Sequence, residues 1–132
     1  MKKLKILISN DDGIQAAGLA RLAAAAVQFG EIWVAAPQSQ CSGMSQKLTI
    51  SGEIAVARAA FPVPVQAAWA IGGTPADCVQ TAIYALMPER PDIVFSGVNF
   101  GYNAGFDIAY SGTMGAALEA VMTGVPAMAF SK

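Results

Sequence analysis

Five short apolar runs punctuate the chain, and the segments between them alternate between helical periodicity and clusters of turn-forming residues. Lys5 to Ser9 is apolar and branched and predicts a first buried strand. From Gly18 to Phe29 the residues Leu19, Leu22, Ala26 and Phe29 fall at helical spacing, and Gly30 is placed to end that helix as a C′ residue. Glu31 to Ala36 predicts a second buried strand, stopped by Pro37. A strand-helix-strand unit of this length implies parallel pairing through a right-handed crossover. Lys47 to Arg58 reads as two short β segments around Ser51-Gly52, a hairpin, and Phe61 to Pro64 as a proline-punctuated loop. Ala67 to Ile71 is a further strand, closed by Gly72-Gly73. Thr74-Pro75 then begins a helix that runs to about Met87, with threonine at the N-cap and proline at the first helical position. Asp77 falls at N3, where it returns a capping bond, so it is read as structural rather than catalytic. Asp92 to Ser96 predicts a buried strand, Gly112 to Thr123 a helix capped by Gly124, and Val125 to Ser131 a last strand. The order β-α-β, hairpin, β-α-β-α-β predicts a single α/β domain over residues 1–132: a Rossmann-like, doubly wound, mostly parallel sheet with a β-hairpin excursion.

Composition narrows the function classes. The 132 residues suffice for one domain with a real core. The net charge is −1 and there is no basic run, which argues against binding a nucleic-acid duplex through its phosphates. Hydrophobic residues reach 55%, but many are alanines that suit close helix–sheet packing, and Ala16 to Phe29 carries Arg21 and Gln28, so no membrane span is expected. Lys2, Lys3 and Lys5 precede an apolar run too short for a signal-peptide core, so a cytoplasmic protein is expected. Cys41 and Cys78 have no zinc spacing and read as thiols in a reducing compartment. There is no histidine, which removes the Ser-His-Asp triad, the Cys-His pair and histidine metal ligands. Any acid–base or metal chemistry must come from the nine carboxylates, hydroxyls, amides and backbone.

Asn10-Asp11-Asp12-Gly13 is the stretch around which that chemistry is organised. Two adjacent carboxylates at the mouth of a buried strand repel, and each raises the other's pKa unless a cation sits between them. Gly13 permits the sharp turn from strand to helix. Alone, an Asp-Asp-Gly tripeptide is an ordinary solvated turn. The other strand ends change that reading, because ligands of open α/β sheets bind at the carboxyl edge. That edge also carries the polar loop with Ser42, the glycine-rich loop with Asn99 and Asn103, and a helix start at Ser111-Gly112-Thr113. The donors are all oxygen, which suits Mg²⁺ or Mn²⁺ rather than zinc. The first turn of the last helix offers an anion site. A divalent ion beside a phosphate pocket suggests phosphoester hydrolysis, with Asp11 or Asp12 orienting or deprotonating the attacking water.

Five motifs in collinear order resemble the SurE survival-protein family. They are Asn10-Asp11-Asp12-Gly13, Ala36-Pro37 with Ser42-Gly43, Gly73 to Val79, Ser96 to Asn103, and Tyr110-Ser111-Gly112-Thr113. The resemblance runs from residue 5 to 131. It implies a Rossmann-like fold and a metal-dependent phosphatase of nucleoside 5′- and 3′-monophosphates, associated with stationary-phase survival. By motif position it implies Asp11, Asp12, Ser42 and Asn99 as ligands of Mg²⁺ or Mn²⁺, with Asp11 and Asp12 also catalytic. It implies Asn103, Ser111, Gly112 and Thr113 as the phosphate holders.

Three departures from the family pattern stand out. The family is usually about twice this length, so the chain is expected to correspond to its N-terminal half, without the C-terminal half of the fold. That half helps form the homodimer or homotetramer expected at full length. Basic residues often found before the second-loop serine are replaced by the neutral Gln38, Ser39, Gln40 and Cys41. Ala17 stands where a proline is usual, while every proposed ligand and phosphate position is kept. The competing reading is a receiver-like signalling or phosphate-binding module without hydrolysis. Paired aspartates after the first strand and Lys132 fit it, but Ser96 stands where a phosphorylatable aspartate is needed.

Overall fold

The computed structural model describes residues 3–38, 54–99 and 123–131. Their strands are β1 (Leu4–Ser9), β2 (Gly30–Pro37), β3 (Val56–Arg58), β4 (Ala67–Ile71), β5 (Ile93–Asn99) and β6 (Ala127–Ser131). They form one sheet in the order β3-β4-β2-β1-β5-β6. Every neighbouring pair is parallel except β3 on β4. A strand in the middle of such a sheet is buried on both faces, which is why β1 and β2 read as continuous apolar runs rather than alternating ones.

The two faces are covered by different helices. On one, Ile6, Ile8, Ile32 and Val34 meet Leu19, Leu22, Ala23 and Ala26 of α1 (Ala17–Ala26). On the other, Leu7, Trp33, Trp69 and Val94 meet Cys78 and Val79 of α2 (Pro75–Thr81). Each fully buried large side chain contributes roughly 1.5–3 kcal/mol of transfer free energy. The result is the doubly wound, mostly parallel arrangement expected from the element order.

Some boundaries differ from expectation, each for a physical reason. Helix α1 ends at Ala26, with Val27 as its C-cap, and Gly30 opens β2 instead of capping the helix. Gly30 has no left-handed backbone; it is needed because a Cβ there would overlap the Leu4 carbonyl of β1. Beyond Thr81 the second helix continues as a π-helical segment, Ala82–Leu86, closed by Met87 N–H donating to the Ala82 carbonyl at 2.9 Å. Met87 is extended, as a residue preceding proline prefers. Strand β5 passes Ser96 and reaches Asn99 through an irregular register against β6. Gly97 makes this possible: its φ is +138°, and a Cβ would overlap the Phe130 carbonyl. Of the hairpin expected over residues 47–58, Val56–Arg58 is a strand that pairs antiparallel with β4, and residues 47–53 lie outside the described residues. Of the helix expected over 112–123, residues 112–122 also lie outside them, and Gly124 adopts φ +85°.

Candidate active site

The chain leaves β1 for β2 and β4 on one side and later returns to place β5 and β6 on the other. The strand order therefore reverses between β1 and β5. A crevice opens at the carboxyl ends of the strands at such a switch point, and ligands of open α/β sheets bind there. Asp11 and Asp12 follow β1 directly, and Asn99 is the last residue of β5. The fold thus brings three of the expected metal-site positions to one edge of two adjacent strands.

The acidic turn is held by Asn10. Its Nδ2 donates to the Gly13 carbonyl at 3.0 Å, and its Oδ1 accepts from the Gly13 N–H at 3.2 Å. Gly13 itself has φ +108°, a conformation that a side chain would strain. Ile14 N–H donates to the Pro37 carbonyl at 2.9 Å, tying the turn to the end of β2. Within this frame Asp11 is 3% exposed and Asp12 is partly exposed. Burial, and after it the charge of Asp11, raises the Asp12 pKa above the ordinary aspartate value. The turn therefore stores unfavourable electrostatics of the kind a bound cation relieves.

Beneath the turn sits a feature that the sequence motifs do not reveal. Ser9 ends β1 and is 0% exposed. Strand alternation puts it on the Leu7 side of the sheet, the face covered by α2, in register with Ser96 of β5. Its Oγ has no hydrogen-bond partner among the described residues. An unsatisfied buried hydroxyl costs about 1–3 kcal/mol. The apolar strand pattern hides this residue, because a serine ending a strand reads as a boundary.

Other described carboxylates are committed elsewhere. Glu89 pairs with the Lys5 ammonium at 2.8 Å, and Asp92 accepts from the Lys5 N–H at 2.7 Å, both at the amino-terminal end of the sheet. Glu31 accepts from Gln66 there. Asp77 completes the expected capping box: Oδ2 accepts from the Thr74 N–H at 2.9 Å, and its own N–H donates to Thr74 Oγ1 at 3.2 Å. Among the described residues no three His, Cys, Asp or Glu side chains converge on a metal site. A cation at the switch point would instead be held by the carboxylates of Asp11 and Asp12, with neutral oxygen donors completing the set. The adjoining carboxylates, buried Asp11 and partly exposed Asp12, are an all-oxygen donor pair that fits such a hard cation. Ser42, Asn103, Ser111, Gly112 and Thr113 lie outside the described residues. No helix among the described residues is long and apolar enough to cross a membrane.

Comparison with known proteins agrees with this architecture. The family model described as "Survival protein SurE" matches residues 6–132. The 5′-nucleotidase SurE of Pelotomaculum thermopropionicum is 44% identical over 128 residues, covering 97% of this chain and 49% of the relative. The 5′-nucleotidase SurE of Prochlorococcus marinus is 47% identical over 134 residues, covering 99% of this chain and 51% of the relative. The crystal structure of the SurE protein from Aquifex aeolicus superposes with a TM-score of 0.83 at 36% identity, covering 96% of this chain and 50% of that one. The chain spans about half the length of the curated relatives it matches.

Proposed function

The chain belongs to the SurE survival-protein family, and from that premise we propose that it is a metal-dependent phosphomonoesterase, hydrolysing nucleoside 5′- and 3′-monophosphates to nucleoside and phosphate. The observation that carries this reading is the Asp11–Asp12 pair at the switch point between β1 and β5, with Asp11 buried and Asp12 raised in pKa. In this reading Asp11, Asp12, Ser42 and Asn99 hold Mg²⁺ or Mn²⁺, and Asn103, Ser111, Gly112 and Thr113 hold the phosphate.

A divalent cation held there supplies Lewis acidity toward the phosphoryl oxygens. The chain's own residues do the rest. Asp12, the more exposed of the pair, orients the attacking water and accepts its proton. As the water oxygen bonds to phosphorus, the ester P–O bond breaks, and the leaving alkoxide takes a proton to give the nucleoside. With no histidine in the chain, that proton comes from water or from a site hydroxyl.

The test is phosphate release from a panel of nucleoside monophosphates by the purified protein, with Mn²⁺ or Mg²⁺ and with excess EDTA. Release that requires the cation and disappears in Asp11→Asn, with the fold intact by circular dichroism, is the expected result. Unchanged turnover in that variant, or full activity in EDTA, would overturn the assignment.

A further inference from the structure

We propose that Ser9 is a positioning residue of the acidic turn: its hydroxyl, left without a partner in the described fold, donates to the Asp11–Asp12 carboxylates when a divalent cation draws them into place. The inference rests on the metal-site reading above and adds to it a residue that is neither a ligand nor a phosphate contact.

Two observations carry it. First, Ser9 Oγ is fully buried and has no hydrogen-bond partner among the described residues, at a position where an alanine would fit the apolar strand. Buried polar groups are otherwise nearly always satisfied, so an orphan points to a partner that arrives with a ligand. Second, Ser9 lies two residues before buried Asp11, at the end of the strand that borders the switch point, and Asn10 between them is locked to Gly13. The Asn10–Gly13 bonds hold the backbone of the turn, so the change that brings a carboxylate to the hydroxyl on cation binding is one of side-chain rotation. Groups that hydrogen-bond a metal-ligating carboxylate orient it and typically change metal affinity by about 10–100-fold.

The experiment is Mn²⁺ titration by calorimetry on wild type, Ser9→Ala and Asp11→Asn, with thermal melts of each protein in EDTA. The expected result is that Asp11→Asn does not bind, and that Ser9→Ala binds about ten-fold or more weakly than wild type. In EDTA, Ser9→Ala melts no lower than wild type, because no hydrogen bond is lost. The melt separates the two roles of the hydroxyl: a structural hydroxyl would lower it and leave affinity alone. Equal Mn²⁺ affinity of Ser9→Ala and wild type, or a lowered metal-free melt, would overturn the proposal while leaving the metal site standing. A wild type that binds no Mn²⁺ would overturn the metal reading and this inference with it.

Discussion

Burying one carboxylate beside another raises the free energy of the charged form, and at the acidic turn that cost falls on Asp12. Its proton affinity is raised by desolvation and by Asp11, so in the metal-free protein folding favours the protonated carboxyl. Between the ordinary aspartate value of 3.8 and the higher folded value, the folded chain binds more protons than the unfolded one. Stability therefore falls as pH rises through that interval. The cost is absent below it and fully present above it. Asp12→Asn removes the charge. In EDTA the variant should have a higher denaturation midpoint than wild type near neutral pH, and the difference should vanish below the ordinary aspartate range. Urea titrations at several pH values check this, and a gain that is the same at every pH would show that charge is not its source. A residue that costs stability in the apo protein is what a binding site, rather than a packing position, requires.

The elements around the turn separate packing from chemistry. The Thr74–Asp77 capping box starts α2 on the face opposite α1. If the box serves only to start the helix, Thr74→Ala should cost about 1 kcal/mol of stability and leave Mn²⁺ affinity unchanged. Denaturation and calorimetry on the same preparation would check both, and a weakened affinity would make the cap part of the site. This element was fully legible in the sequence, because threonine, proline and aspartate at N-cap, N1 and N3 act locally. Ala67–Ile71 was legible for the same reason, as an apolar run bounded by turn residues. What the sequence hid depends on neighbours distant in the chain. Gly30 looks like a helix terminator, yet its role is set by the carbonyl of Leu4. The extension of β5 to Asn99 depends on Gly97 passing Phe130.

At the scale of the whole molecule, the sheet puts the candidate site where two halves of its strand order meet. Asp11 and Asp12 leave β1, and Asn99 closes β5 beside it, so a cation held by these positions would link the adjacent strands β1 and β5. The convergence follows from topology. The acidic pair and Asn99 were readable as candidate residues, whereas the orphaned state of Ser9 needed the three-dimensional surroundings. Because the acidic turn continues directly from β1, whose Ile6, Leu7 and Ile8 are fully buried in the core, the site should form and be lost together with the sheet. A ligand that binds only the folded form then stabilises the whole domain by mass action, by about 2.7 kcal/mol at about a hundred times its Kd. Saturating Mn²⁺ should accordingly raise the thermal midpoint of wild type in a single cooperative transition, and excess EDTA should reverse the shift. Asp11→Asn should melt at the same temperature with and without the cation. A midpoint that Mn²⁺ leaves unmoved in wild type would place any cation away from β1 and β5, and a shift that survives in Asp11→Asn would place it at other donors.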